Sequence, residues 1–206
     1  LDLSYCQLGA RSIETFATVL GGSGLVKLNL EGNGVPSAPM AALAAAVSGA
    51  RRLSHLNLSR TSSGPDVAAA LGEALPQCPT LRWLDLSHNY ITDAVGSLTV
   101  SLRKAPGLTY LNLSGNGISN TGAQAISRSL LSARRRTRTE VVLRLRVLDL
   151  SDNKLRDSAI EALCREIPGA CPYLRSLKLH RNDFTEQGAV SIAVMLIARA
   201  ASRVIP

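Results

Sequence analysis

A chain of 206 residues with 46% hydrophobic and 18% charged positions carries enough apolar side chains for one sizeable core, which excludes a disordered polypeptide. Aromatic residues make up only 3%, so the core is not built around large rings; Leu, Ala, Val and Ile suit many small, similar packing layers instead. The net charge of +8 is concentrated in one stretch, taken up below in its place along the chain.

In chain order, short leucine-spaced segments alternate with helical ones. "LDLSYC" opens the chain, and apolar spacing of three and four residues predicts a helix over "SIETFATVL" from Ser12. "LVKLNLEGN" from Leu25 leads to "PMAALAAAV" from Pro39, and "LSHLNLSRT" from Leu53 to "PDVAAALGEAL" from Pro65. "LRWLDLSHN" from Leu81 precedes "AVGSLTVSL" from Ala94, and "LTYLNLSGN" from Leu108 precedes "GAQAISRSLL" from Gly122. After an Arg-rich insertion at 132–142, "LRVLDLSDN" from Leu145 leads to "SAIEALCREI" from Ser158, and "LRSLKLHRN" from Leu174 to "GAVSIAVMLI" from Gly188. Ser158 with Glu161 and Thr121 with Gln124 have capping-box spacing, and the prolines of "ALPQCPTL", "APGL" and "IPGACPYL" are expected to stop helices before the next strand.

The leucine segments share the pattern LxxLxLxx followed by Asn or Thr, six times in full. Their closing positions are Cys6, Asn33, Thr61, Asn89, Asn116, Asn153 and Asn182, with one interval, Asn116 to Asn153, longer than the rest. In LxL both leucines face one side of a strand and the residue between them faces the other. The Asn that follows can donate to and accept from backbone groups left unpaired in the turn, so its role is structural; Cys or Thr does part of this. Ile91, Ile118, Leu155 and Phe184 close the same core two residues later; Ser63 departs from this, so the third unit is expected to be looser. The "GNG" runs at Gly32–Gly34 and Gly115–Gly117 supply only GxG, short of the spacing a phosphate-cradling loop requires.

This periodicity resembles the leucine-rich repeat family, and the period near 28 residues with a helix in every unit is similar to its ribonuclease-inhibitor-like class. The resemblance implies an α/β fold: a right-handed solenoid, a horseshoe arc with parallel strands on the concave face and helices on the convex one. It covers residues 1–206 as one domain of about seven repeats, which reads as a piece of a longer protein because the chain starts within a repeat. Units of this size cannot bury their own flanks and must stack. The class also includes Ran GTPase-activating proteins, NOD-like receptors and tropomodulins, so the resemblance leaves a GTPase-activating role open as an alternative, with no residue here that can be assigned to it.

In such a solenoid the residues between the leucines face the hollow. One column reads Lys27, His55, Trp83, Tyr110, Val147, Ser176; the next reads Asp2, Asn29, Asn57, Asp85, Asn112, Asp149, Lys178; two further positions give a Ser-rich column from Ser4 to His180 and a column from Tyr5 through Arg60 and His88 to Arg181. All three histidines and the sole Trp fall on these columns, which are expected to be exposed. A large ring beside polar groups has the composition of a protein-binding hot spot. Tyr5, His55, Arg60, Trp83, Asp85, His88 and Tyr110 are therefore the candidate residues for binding another protein, the alternative being that neighbours shield Trp83. The Asp/Asn column is expected to solvate the strand face, and His55 and His88 stand too far apart to share a metal.

From Arg128 to Arg146 there are seven Arg and one Glu, a net +6, leaving 16 basic and 14 acidic residues elsewhere. Arg134, Arg135, Arg136 and Arg138 could attract RNA or another acidic surface. Set against this is a solvated loop, since no aromatic is interleaved there to stack on bases. No HExxH or GxSxG motif occurs, so an enzyme is not expected, nor any cofactor. Cys6, Cys78, Cys164 and Cys171 form no CxxC pair and are expected to be buried thiols, which favours an intracellular, cytoplasmic protein. The sequons at Asn57 and Asn112 fall within strands and are discounted, and "AVSIAVMLIARAA" from Ala189 is too short to span a membrane and is expected to be a buried helix.

Overall fold

The computed structural model describes residues 1–102, 104, 105, 107–135 and 143–201, with the side chains of 131–135 excepted. Six three-residue strands, β1 (Lys27–Asn29), β2 (His55–Asn57), β3 (Trp83–Asp85), β4 (Tyr110–Asn112), β5 (Val147–Asp149) and β6 (Ser176–Lys178), form one parallel sheet in sequence order. A single bridge, Asp2 to Asn29, extends it to the first unit. Helices α1 (Ala10–Leu20), α2 (Ser37–Ala46), α3 (Pro65–Ala74), α4 (Val95–Leu102), α5 (Asn120–Arg135), α6 (Asp157–Ala170) and α7 (Glu186–Ala201) return the chain, each packing on the next. Neighbouring strands sit about 4.8 Å apart and packed helices about 8–10 Å apart, so the sheet lies on the inside of the arc.

The register is in step across all six strands: Leu28, Leu56, Leu84, Leu111, Leu148 and Leu177 pair in one row. With the second leucine of each LxL they form the floor of one continuous core, completed by helix residues such as Ile13, Leu43, Leu71, Leu98, Ile126 and Leu163. Polar groups in the turns are satisfied by the Asn column. The Asn89 amide donates to Leu86 O at 3.0 Å in its own unit and to Leu58 O at 2.7 Å in the unit before, and its Oδ1 accepts from the Thr61 and Ser63 amides. Asn116 and Asn153 repeat this pattern.

Several expectations are corrected. The third unit is not loose: Ser63 is fully buried, and because the single Thr61 proton is directed at Leu58 O, the Ser63 hydroxyl donates to Thr61 Oγ1 at 2.7 Å. Neither capping box forms. Thr121 lies inside α5, and the residue preceding α6, Arg156, makes no side-chain cap. The helix starts are capped from the previous unit instead. Asp93 Oδ1 accepts from the Ser119 and Gly122 amides, Asn120 Oδ1 from Arg156, and Asp157 Oδ1 from Thr185 and Gly188, a partner that local spacing cannot reveal.

Pro168 does not stop α6 but lies within it, two residues before its end, where the chain leaves the helix within one turn. Cys6, in the first unit described, is exposed and not buried, whereas Cys78, Cys164 and Cys171 are buried as expected. Burial pushes the Cys78 and Cys164 thiols up to about 11 and Cys171 to about 12, so all three remain protonated and unreactive at neutral pH. Helix α7 is not buried: Val190, Val194, Leu196 and Ile197 are exposed, with no unit packed on their far side in this structure. No helix among the described residues is long and apolar enough to cross a membrane.

Replacing Asn89 by Ala leaves the buried Thr61 and Ser63 amides without an acceptor and takes one of two donors from the Leu58, Leu86 and Ser87 carbonyls. Urea unfolding is expected to register a loss of at least about 3 kcal/mol, with Asn89→Thr restoring part of it as Thr61 does naturally.

Candidate partner-binding face

The register places His55, Trp83 and Tyr110 side by side on three adjacent strands. Strand spacing is close to the separation at which rings stack, and the rings use it. Trp83 and Tyr110 lie with centroids 4.9 Å apart and planes 12° from parallel, and His55 follows on the other side of Trp83 at 6.2 Å and 26°. All three are half-buried, so each keeps part of its side chain accessible. His55 is fixed by a 2.7 Å hydrogen bond between its Nδ1 and the Ser54 hydroxyl. Burial, and then the Lys27 ammonium in register beside it, hold the His55 pKa below the usual histidine value, so the imidazole is neutral at pH 7. Burial, followed by the Asp85 charge, raises the Tyr110 phenol.

The Asp/Asn column differs from expectation. Asp85, one of the candidate binding residues, is only 8% exposed, and Asn112 and Asp149 are buried with it. A short side chain in register with neighbours on both flanks is covered by them, and its oxygen turns to its own backbone: Asp85 Oδ1 accepts from the Ser87 amide at 2.8 Å, as Asn57 does from Ser59, Asn112 from Ser114 and Asp149 from Ser151. Across strands, the Asn112 amide donates to Asp85 Oδ2 at 2.9 Å, and Lys178 Nζ meets Asp149 Oδ2 at 3.0 Å. Burial opposes ionisation of Asp149, yet the Ser151 hydroxyl and amide and the Lys178 ammonium hold its carboxyl below the usual range. The column ties strands together and does not solvate them. The serines next to it, Ser59, Ser87, Ser114 and Ser151, are likewise buried, not exposed.

The remaining candidates sit on the turns where strands end. Tyr5, Arg60, His88, Asp152 and Arg181 all adopt left-handed backbone conformations, at φ between 53° and 57°, and Gly32 and Gly115 occupy the same position in their units. The glycines serve a second purpose: a Cβ on Gly115 would meet His88 Nδ1 at 2.5 Å, and one on Gly32 would collide with the Tyr5 ring. "GNG" therefore makes room for the preceding unit's ring. The Tyr5 hydroxyl donates to Glu31 Oε1 at 2.9 Å, and Glu31 Oε2 accepts from Asn57. Glu31 was missed as a member of this network; its signal is that it alone is acidic in a Ser-rich column. Arg60 and His88 are exposed on these turns, away from the ring row at the strand starts.

Of the basic insertion, Arg134 and Arg135 fall in the last turn of α5, and Arg136 and Arg138 lie outside the described residues. Among the described residues no group of three or more His, Cys, Asp or Glu could hold a metal ion.

The unit repeat, the in-step parallel sheet and the outer helices define a leucine-rich repeat solenoid. A family model described as "Leucine Rich repeat" matches residues 77–94, 106–127, 145–164 and 170–193. The chain belongs to this family, in its ribonuclease-inhibitor-like class. It is 28% identical over 197 residues, 93% of its length, to NACHT, LRR and PYD domains-containing protein 5 of Mus musculus, and 27% identical over an alignment of 256 residues, covering 98% of its length, to ribonuclease inhibitor of Mus musculus. It spans 16% of the first relative and 56% of the second. The tropomodulin C-terminal domain of Caenorhabditis elegans shares the fold, with a TM-score of 0.54 at 14% identity over 95% of each chain.

Proton NMR titration is expected to give His55 a midpoint below about 6.5, the ordinary histidine value. Lys27→Ala should move that midpoint upward, because it removes a positive charge that disfavours the imidazolium.

Proposed function

We propose that the protein is a non-enzymatic interaction module that holds another protein in its hollow, with the His55–Trp83–Tyr110 ring row as the anchor. The observation that carries this reading is the row itself: three stacked rings, pinned by strand register, that stay partly accessible where leucine packing has no use for them. Prestacked rings lose little conformational freedom on binding, and large half-exposed aromatics flanked by polar groups are where binding energy concentrates. Tyr5, Arg60 and His88, exposed on the strand-end turns away from the row, would supply further polar contacts, while Asp85 holds the strands together. The relative named ribonuclease inhibitor is, by that name, a protein that acts on another protein, which supports the same use of the fold. Three buried, protonated thiols suit a reducing, cytoplasmic setting.

The test compares Trp83→Ala with the parent chain in a quantitative pull-down and in thermal unfolding. Capture of the cognate partner should fall about tenfold or more while Tm changes by less than about 4 °C. A large drop in Tm with capture intact would make Trp83 a packing residue and end the proposal.

A further inference from the structure

The solenoid's two edges differ in charge. The segments that lead from each helix into the next strand, residues 21–26, 49–54, 77–82, 103–109, 143–146 and 170–175, contain Arg51, Arg52, Arg82, Arg144, Arg146 and Arg175 and no Asp or Glu at all. The opposite edge, in the strand-end turns and helix starts, is mixed: Glu31, Asp66, Asp93, Asp152, Asp157 and Glu186 stand among Arg60, Lys154, Arg156 and Arg181. The basic edge also has a cleft of about 650 Å³, lined by Arg82, Arg144, Arg146, Tyr173, Thr109 and Gly107 together with Pro79.

How the cleft forms follows from the repeat. Arg82, Thr109, Arg146 and Arg175 occupy the same position in successive units, linked by the Thr109 amide to Arg82 O, the Arg146 amide to Thr109 O and the Arg175 amide to Arg146 O. Thr109 thus separates two arginines by two strand spacings, roughly 10 Å. Gly107 keeps the floor open, since an added Cβ there would collide with the Arg82 guanidinium. That guanidinium is fixed by Nη1 donating to Pro79 O at 2.7 Å. Among the described residues, the Arg144 and Arg146 guanidinium groups have no hydrogen bond or ion pair. Tyr173, 58% exposed, completes the wall. No aromatic stands near the arginine run in the sequence; the fold brings one in from 27 residues beyond Arg146.

We infer that this cleft binds single-stranded nucleic acid, with phosphates on Arg82, Arg144 and Arg146 and a base stacked on Tyr173. Guanidinium forks match phosphate oxygens two at a time, and a basic groove with an exposed ring is the arrangement that holds a single strand without reading its sequence. A lipid surface is disfavoured because the lining offers no Leu, Ile, Val or Phe to enter acyl chains, and an acidic peptide because carboxylates alone engage the arginines and leave the exposed ring unused. The site is separate from the ring row of the hollow, so either can fail without the other.

The experiment is fluorescence anisotropy of the 206-residue chain with labelled 12-nucleotide RNA and DNA of one mixed sequence across a salt series, with phosphatidylserine vesicles and polyglutamate as competitors. Saturable binding of RNA, of DNA or of both is expected, and which one binds identifies the source of the strand. Changing Arg82, Arg144 and Arg146 together to Ser should reduce the slope of log K against log salt by about 2, at about 0.7 per phosphate contact; if that triple variant unfolds, Arg146→Ser alone should reduce it by about 0.7. Tyr173→Ala should weaken binding about tenfold at fixed salt with the slope unchanged, and Trp83→Ala should leave it intact. No saturable binding to either strand, displacement by vesicles or polyglutamate at equal charge, or indifference to Tyr173→Ala would overturn the inference.

Discussion

One hydrogen-bond arrangement holds the architecture together: a buried asparagine amide that donates to a carbonyl of its own unit and to one of the unit before, while its oxygen receives amides from the unit before. A three-residue strand is too short to define its own register, and a period-two pattern that slips by one residue turns its leucines to the wrong face. The Asn column removes that freedom. Asn33, Asn89, Asn116, Asn153 and Asn182 each anchor their turn to the unit before at one fixed offset, while Thr61 reaches only its own unit, and the leucine rows align as a result.

Perfect register has an electrostatic consequence. Residues at one position in successive units face each other about 4.8 Å apart, so like charges in a column would repel along its whole length. In the column from Asp2 to Lys178 no aspartate is next to another: Asp2 pairs with Asn29, Asp85 lies between Asn57 and Asn112, and Asp149 lies between Asn112 and Lys178. Among the described residues, the edge where strands begin is free of acidic residues, whereas the edge where helices begin mixes acidic side chains with Arg60, Lys154, Arg156 and Arg181. There the acidic side chains accept the free amides of the next unit's helix, as Asp93 and Asp157 do. The same alignment that would punish like charges rewards rings, which is how His55, Trp83 and Tyr110 come to form a row.

Coupling between units also explains why the two ends differ from the middle. Cys6 occupies the Asn position yet is exposed, and Leu177 and Leu179 are only partly buried where their counterparts in β2 to β4 are fully so. Burial here is conferred by neighbours on both sides, and in this structure the first and last described units, α7 among them, are packed on one side alone.

The sequence by itself determined the repeat, the element order, the core leucines, the structural Asn column and the inward-facing ring row, because each depends on a spacing within one unit or on its recurrence. It did not determine what lies beside what between units. The burial of Asp85 and its serine neighbours, the helix caps given by Asp93 and Asp157, the polar closure of Ser63, and the meeting of Tyr173 with Arg82, Arg144 and Arg146 belong to the tertiary structure. They arise from contacts across some 25 to 90 residues of chain, set by stacking geometry and by which side chain covers which, and no local pattern encodes those distances.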